Sequence, residues 1–141
     1  MVYLHSSNYL QVNMSDQELM KYFAFDESDL QANRDGQISE KQKSLVLKTN
    51  RSRLFNFAKT RYTLAQVQGP INIDSWQTAY HGGMLWYELQ VGDKSFHVDK
   101  DLPNIMMQGD VYTIYYCYMD DAPDDNGLYK ILSAELNSKA K

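Results

Sequence analysis

The sequence predicts an α+β protein. N-terminal helices precede a five-stranded antiparallel domain, a small OB-like or SH3-like β-barrel with a short helix between its third and fourth strands. Three observations predict it. Helix-capping residues crowd the first third of the chain. From Tyr62 onward the apolar period changes from helical to two. Turn residues then divide the period-two region into five runs of strand length. The 141 residues are 43% apolar and 23% charged, values of an ordinary globular chain. We divide them into a helical segment, 1–61, and a β-domain, 62–138.

The elements follow in order. Residues 1–14 carry no clean period and read as loosely ordered chain or a short strand. Ser15 and Glu18 form a capping-box pattern before Leu19, Met20, Tyr22 and Phe23, which predicts a helix over 16–24. Asp26 caps a second short helix, with Glu27 and Asp29 in its first turn, where acidic side chains favour the helix dipole. Asn33-Arg34-Asp35-Gly36 ends it, and Ser39 with Gln42 opens a third helix over 40–60. Leu47, Leu54, Phe55 and Ala58 lie along one stripe of that helix.

Ala65, Val67, Ile71 and Ile73 share one parity of the first strand, which Gly69-Pro70 interrupts. Leu85, Tyr87, Leu89 and Val91 are the inward set of the second strand. Gly92-Asp93 turns it into a third, Lys94 to Val98. The run DLPNIMM reads as a short helix, with proline in its first turn. Val111 to Met119 is apolar on both parities, the pattern of a central strand, and Leu128 to Leu136 is the last.

Charge is distributed unevenly. Between 41 and 61 stand seven basic residues and no acidic one, whereas the other 120 residues hold 7 basic and 18 acidic, a balance of −11. A basic amphipathic helix either packs its stripe on the β-domain and faces that domain's acidic surface, or docks on an anionic membrane surface, a nucleic acid or an acidic protein partner. Lys43, Lys48, Arg51 and Arg53 are the expected electrostatic contacts, and Phe55 and Phe57 the apolar ones. Trp76 and Trp86 are the expected exposed binding patch of the β-domain. The chain has no run of apolar residues long enough to span a bilayer and no signal peptide, so the expected location is cytoplasmic, with membrane association through the basic helix.

The stretch FDESDLQANRDGQISEKQ carries Asp29-Leu30, Asn33-Arg34, Gly36, Ser39 and Gln42. Further on stand Gly69-Pro70, Tyr87-Glu-Leu89-Gln-Val91-Gly92, Phe96-His-Val98, Tyr112-Thr-Ile-Tyr115-Tyr116 and Leu132-Ser133-Ala-Glu135. In this order, over residues 23–136, they resemble an uncharacterised bacterial family. There an N-R-x-G-x-x-S-x-x-Q helical motif precedes transmembrane helices and a small β-rich domain. The basic helix stands where that family has its membrane spans. The resemblance implies no activity.

Candidate chemistries can be weighed against this background. Residues 31–42 contain the middle of an EF-hand-like loop, with Asn33, Asp35 and Gly36. Gln31 and Gln42 stand where calcium needs carboxylates, so this is at best a weak cation site. The acidic run Asp120, Asp121, Asp124, Asp125 and Asn126 reads as a solvated turn. Cys117 lies mid-strand, where a thiol is a small buried hydrophobe, with His97 as the conceivable base of a dyad. An OB-like domain suggests nucleic acid, yet residues 62–141 hold five basic against eleven acidic residues, a poor footprint for phosphate. The expectation is a non-catalytic interaction or accessory domain without cofactor or metal. Its partner would be a protein or a membrane surface, and self-association is another outcome.

Overall fold

The structure is a computed structural model. It describes residues 17–50, 62–77, 85–99, 101–120, 123–124 and 129–140, with the backbone alone of 47–50 and 76–77. Three helices come first: α1 over 17–23, α2 (Glu27–Arg34) and α3 (Glu40–Asn50). Five strands follow: β1 (Tyr62–Gln77), β2 (Leu85–Val91), β3 (Lys94–Val98), β4 (Val111–Met119) and β5 (Lys130–Ser138). The expected helix between β3 and β4 is one turn of 3-10 helix, Leu102–Asn104, with Pro103 in its first turn. The expected continuation of α3 from 51 to 60 lies outside the described residues.

Strand order is β3-β2-β1-β4-β5, antiparallel throughout, with β3 and β5 as the two edges. The expected barrel closure is not among these ladders. Gly69-Pro70 does not break β1 as the sequence suggested. The strand runs through, and its partner changes there. Tyr62 to Pro70 pair with β4, and Ile71 to Gln77 pair with β2. At the change, the Ile71 N–H donates to Asp110 O (3.0 Å), and Ile71 O accepts from Gly109 N–H (2.9 Å). Proline, which has no N–H, is tolerated at this handover because no ladder needs its donor.

The inner face of the curved sheet carries Ile71, Leu89, Val91, Phe96, Ile114, Tyr116 and Ile131. Leu19 of α1, Phe25 and Leu30 around the start of α2, and Leu102 and Met106 join the same core. β4 is buried on both faces, as its double apolar parity predicts, because α3 covers part of the outer face. There Val46 packs with Cys117 and Leu132, with half-buried Ile38, Tyr62 and Leu64 around them.

The helices are locked to each other and to the sheet by the residues of the N-R-x-G-x-x-S-x-x-Q run. Asp26 and Asp29 form a reciprocal capping box at the start of α2. The helix ends in a Schellman turn: Gln37 N–H donates to Ala32 O and Gly36 N–H to Asn33 O, which needs the positive φ (83°) that glycine provides. Ser39 and Gln42 form the second capping box, now at α3. The Ser39 hydroxyl also donates to the Asp29 carboxylate, tying the two caps together.

The two buried amides between the helices leave no hydrogen-bonding capacity unused. Asn33 Nδ2 donates to Gln42 Oε1 (2.9 Å) and to Gln37 O (2.9 Å). Asn33 Oδ1 accepts from Gln42 Nε2 (3.1 Å) and from the Ser133 hydroxyl. Gln42 completes its set with Ser39 N–H (3.2 Å) and Leu132 O (3.2 Å). The last contacts reach β5, and a bulge makes that possible. Tyr115 pairs with Ser133 while Tyr116 pairs with Ile131, so Leu132 is an extra residue on β5. Consecutive residues thus serve the helices together: Leu132 packs on Val46 and lends its carbonyl to Gln42, and Ser133 bonds Asn33.

Beside them Arg34 forms two bonds to Glu135, at 2.8 and 3.2 Å, and Tyr115 O–H donates to the same carboxylate (2.8 Å). The arginine and then the tyrosine hold the Glu135 carboxyl below the ordinary glutamate value.

Two outcomes follow. Asn33→Ala leaves Gln42 and Ser133 with buried groups unpaired, and a loss of about 3 kcal/mol in urea unfolding is expected. Glu135 contributes stability that is complete above its unfolded value near 4.5 and is lost as pH falls through the lowered folded value. The stability of the parent chain should therefore fall more steeply on acidification below about pH 4.5 than that of Glu135→Gln, with a constant difference near neutrality. Denaturant melts at stepped pH measure both curves.

Candidate functional site

β3 is an edge strand, and a cleft of about 500 Å³ runs along it toward the start of β5. Four elements build it. α1 brings Tyr22 and Phe23, whose rings meet edge to face at 4.7 Å. β2 brings Leu85, Trp86 and Tyr87, β3 brings Phe96, His97 and Val98, and β5 with its approach brings Tyr129, Lys130 and Ile131. The cleft wraps around an edge, so both faces of β3 border it. Phe96 faces the core, while His97 on the other face meets Trp86 at 6.1 Å.

The inner wall is aromatic. Phe96 meets Tyr116 at 5.1 Å, Tyr116 meets Tyr129 at 5.0 Å, and Tyr129 lies 5.9 Å from Phe96. These rings fill the seam between β3 and β5 where strand pairing is absent from the ladders. The Tyr129 hydroxyl is fixed by donation to Pro123 O (2.7 Å). Lys94 Nζ stands 5.7 Å from the Tyr129 ring centre, and the Tyr116 phenol beside it raises the lysine above its ordinary value. α1 closes one end: the Tyr22 oxygen accepts from Asp99 N–H at 2.7 Å. Burial raises this phenol above its ordinary value.

Two apolar side chains stay in solvent at the mouth, Leu85 at 48% and Trp86 at 37% exposure. The alternation of β2 predicts Leu85 as inward. It carries the inward parity, but β2 extends past the core there and the side chain emerges at the cleft.

The sequence-predicted residues divide as follows. Trp76 and Trp86 are brought together as directly opposed partners in the β1–β2 ladder, and the Trp86 side chain lines the cleft. Lys43 is exposed on α3, its Nζ 3.3 Å from Glu40. Its neighbour Lys41 is held by Asp29 (2.9 Å) and Asp26 (3.1 Å), which raise it above the ordinary lysine value. The backbone of Lys48 lies in α3, and its side chain, with Arg51, Arg53, Phe55 and Phe57, lies outside the described residues. Tyr22, Phe23 and Tyr129 escape sequence reasoning, because nothing local marks residues more than a hundred positions apart as neighbours.

The other chemistries find little here. Cys117 is fully buried and burial pushes its thiol up to about 12, far from a reactive thiolate. β3 and β4 meet through Phe96 and Tyr116 on the inner face, whereas His97 faces Trp86 and Cys117 faces Val46 and Leu132 on the outer face, so the two do not form a dyad. In the EF-hand-like stretch the Asn33 oxygen faces Gln42 and Ser133, not a loop centre. Among the described residues no group of three or more His, Cys, Asp or Glu side chains is placed to hold a metal, and no helix is long and apolar enough to cross a membrane.

Comparison of the chain with family models, curated proteins and solved structures finds no match in any of the three.

Proposed function

We propose that this protein is a non-catalytic interaction domain that binds an apolar or aromatic group of its partner in the cleft beside β3. One observation carries the reading: Leu85 and Trp86 stand in solvent at the mouth of a cleft walled by further rings. Convergent aromatic side chains, half exposed, are the usual composition of a binding surface. The fold reading that accompanies it is an OB-like or SH3-like barrel left open at one seam. It is supported by β1, which pairs with β4 over one half and β2 over the other. Indole, titrated against the protein in an NMR experiment, should shift the amides of 85–87 and of His97. Trp86→Ala should weaken that binding at least about fivefold, by loss of ring contacts. No shift at these residues, or equal affinity in the variant, overturns the reading.

A second reading is docking of the basic segment on an anionic membrane surface. Val46 of α3 and Tyr62 of β1 belong to one packed cluster, so the two flanks of the basic segment are anchored at one place. Between them lie Lys48, Arg51, Arg53, Lys59 and Arg61 and no acidic residue. Each basic side chain near such a surface is worth about 1 kcal/mol. The full chain should therefore co-sediment with phosphatidylserine vesicles at low salt. It should lose binding at high salt or when Lys48, Arg51 and Arg53 are reversed to Glu. Equal sedimentation of parent and reversed chains overturns it.

A further inference from the structure

We propose that the free edge of β3 takes up an extended peptide with apolar centre and basic ends, as an added strand whose apolar side chains enter the cleft. The proposal rests on the cleft being the binding surface and names the occupant.

The β2–β3 turn sets which backbone groups of β3 face the open edge. Gly92 and Asp93 form a two-residue turn with positive φ at Gly92 alone (60°), the pattern of a type II′ hairpin. Such a turn makes the flanking pair, Val91 and Lys94, a hydrogen-bonded one. Alternation then makes Leu89–Phe96 and Tyr87–Val98 hydrogen-bonded, and Gln90–Ser95 and Glu88–His97 not. The N–H and C=O of Ser95 and His97 therefore point away from β2, toward the open edge. Asp99 is next in this series and checks the assignment, since its N–H does point outward, to the Tyr22 oxygen. Tyr22 thus satisfies the last outward amide of the edge. Ser95 and His97 have no backbone partner on that side among the described residues. An unpaired edge of this kind is a template for one more strand. Two outward residues suffice for about three residues of an incoming chain. By the two-residue period, its alternate side chains enter the same cleft as Phe96.

Charge selects among extended peptides. Asp93 stands at one end of the edge, Asp99 and Asp101 at the other, and Glu88 lies opposite His97. The described basic side chains near this edge are Lys94, drawn over the Tyr129 ring, and Lys130, which lines the cleft with Asp99. Lys100 lies outside the described residues. The whole region from 62 to 141 holds eleven acidic and five basic residues. A peptide with arginine at its ends brings complementary charge to both ends of β3, and acidic ends meet repulsion.

The test uses the full chain and three acetylated, amidated pentapeptides in NMR titrations. The first has arginine at both ends and valine, phenylalanine, valine between. The second has glutamate at both ends. The third is the first with its three central amides N-methylated. The arginine peptide should shift the amides of Ser95 and His97 and protect them from hydrogen exchange. The glutamate and the N-methylated peptides should each bind at least about tenfold more weakly, from the loss of charge complementarity and of edge hydrogen bonds respectively. Asp99→Asn should narrow the difference between arginine and glutamate peptides. Indole binding without arginine-peptide binding overturns this inference and leaves the cleft reading standing. Failure of both overturns both. Equal binding of the N-methylated peptide excludes strand addition, and equal or tighter binding of the glutamate peptide excludes the basic-ended partner.

Discussion

The amide pair Asn33–Gln42 is the joint on which the architecture depends. Two helices and one edge strand meet at it, and each of its eight hydrogen-bonding positions is taken by the protein. Burying such groups is costly unless every one is paired. A joint of this kind therefore tolerates one arrangement of α2, α3 and β5 and penalises near misses. Apolar packing alone would not discriminate so sharply. The cluster of Val46, Cys117 and Leu132 is small and would accept a shifted helix. The polar joint supplies direction, and the apolar contacts supply burial.

The same joint explains the bulge in β5. A regular strand would send Leu132 and Ser133 to opposite faces. The extra residue lets both serve the outer face, where the helices lie. It also sets which residues of β5 remain for the inner face, among them Ile131 at the cleft. Helix docking and cleft wall are thus coupled through one backbone irregularity. Arg34 and Glu135 sit beside the joint and are partly exposed, so their electrostatic weight is reduced by solvent. Their planar, two-point geometry still orients α2 against the sheet.

The cleft exists because β1 divides its pairing. It serves β4 over its first half and β2 over its second, and β3 and β5 end the order as edges that do not pair with each other. The seam is filled by rings instead of backbone pairing. Large planar side chains fill such a gap well but leave its edge open, with β3 backbone outward and Trp86 in solvent. The partner proposed for this cleft would meet a wall that is already ordered, which keeps the conformational cost small. The charge is segregated in the same way. The β-domain that carries most of the cleft is acidic, and the basic run falls in sequence between Val46 and Tyr62, which pack in one cluster.

Much of the secondary structure was legible in the sequence, because capping, turn chemistry and side-chain parity are local effects. Asp26, Ser39, Gly36 and Gly92 do what such residues do at those spacings. The double apolar parity of β4 correctly placed it between two covering layers. The motif around Asn33 was visible as the end of one helix and the start of the next, with a calcium-loop pattern that lacks the carboxylates at its first and last positions. Only the folded chain shows its amides turned inward, because their partners on β5 are about a hundred positions away. Of the site, sequence parity singled out Trp86, while Tyr22 and Tyr129 joined it through tertiary approach alone. The sequence by itself determined the helices, the strands and the charge asymmetry, since each rests on neighbours within a few residues. The tertiary structure alone decided the handover at Pro70, the open seam and the cleft. Those depend on which distant backbone edges meet, and a local pattern carries no such information.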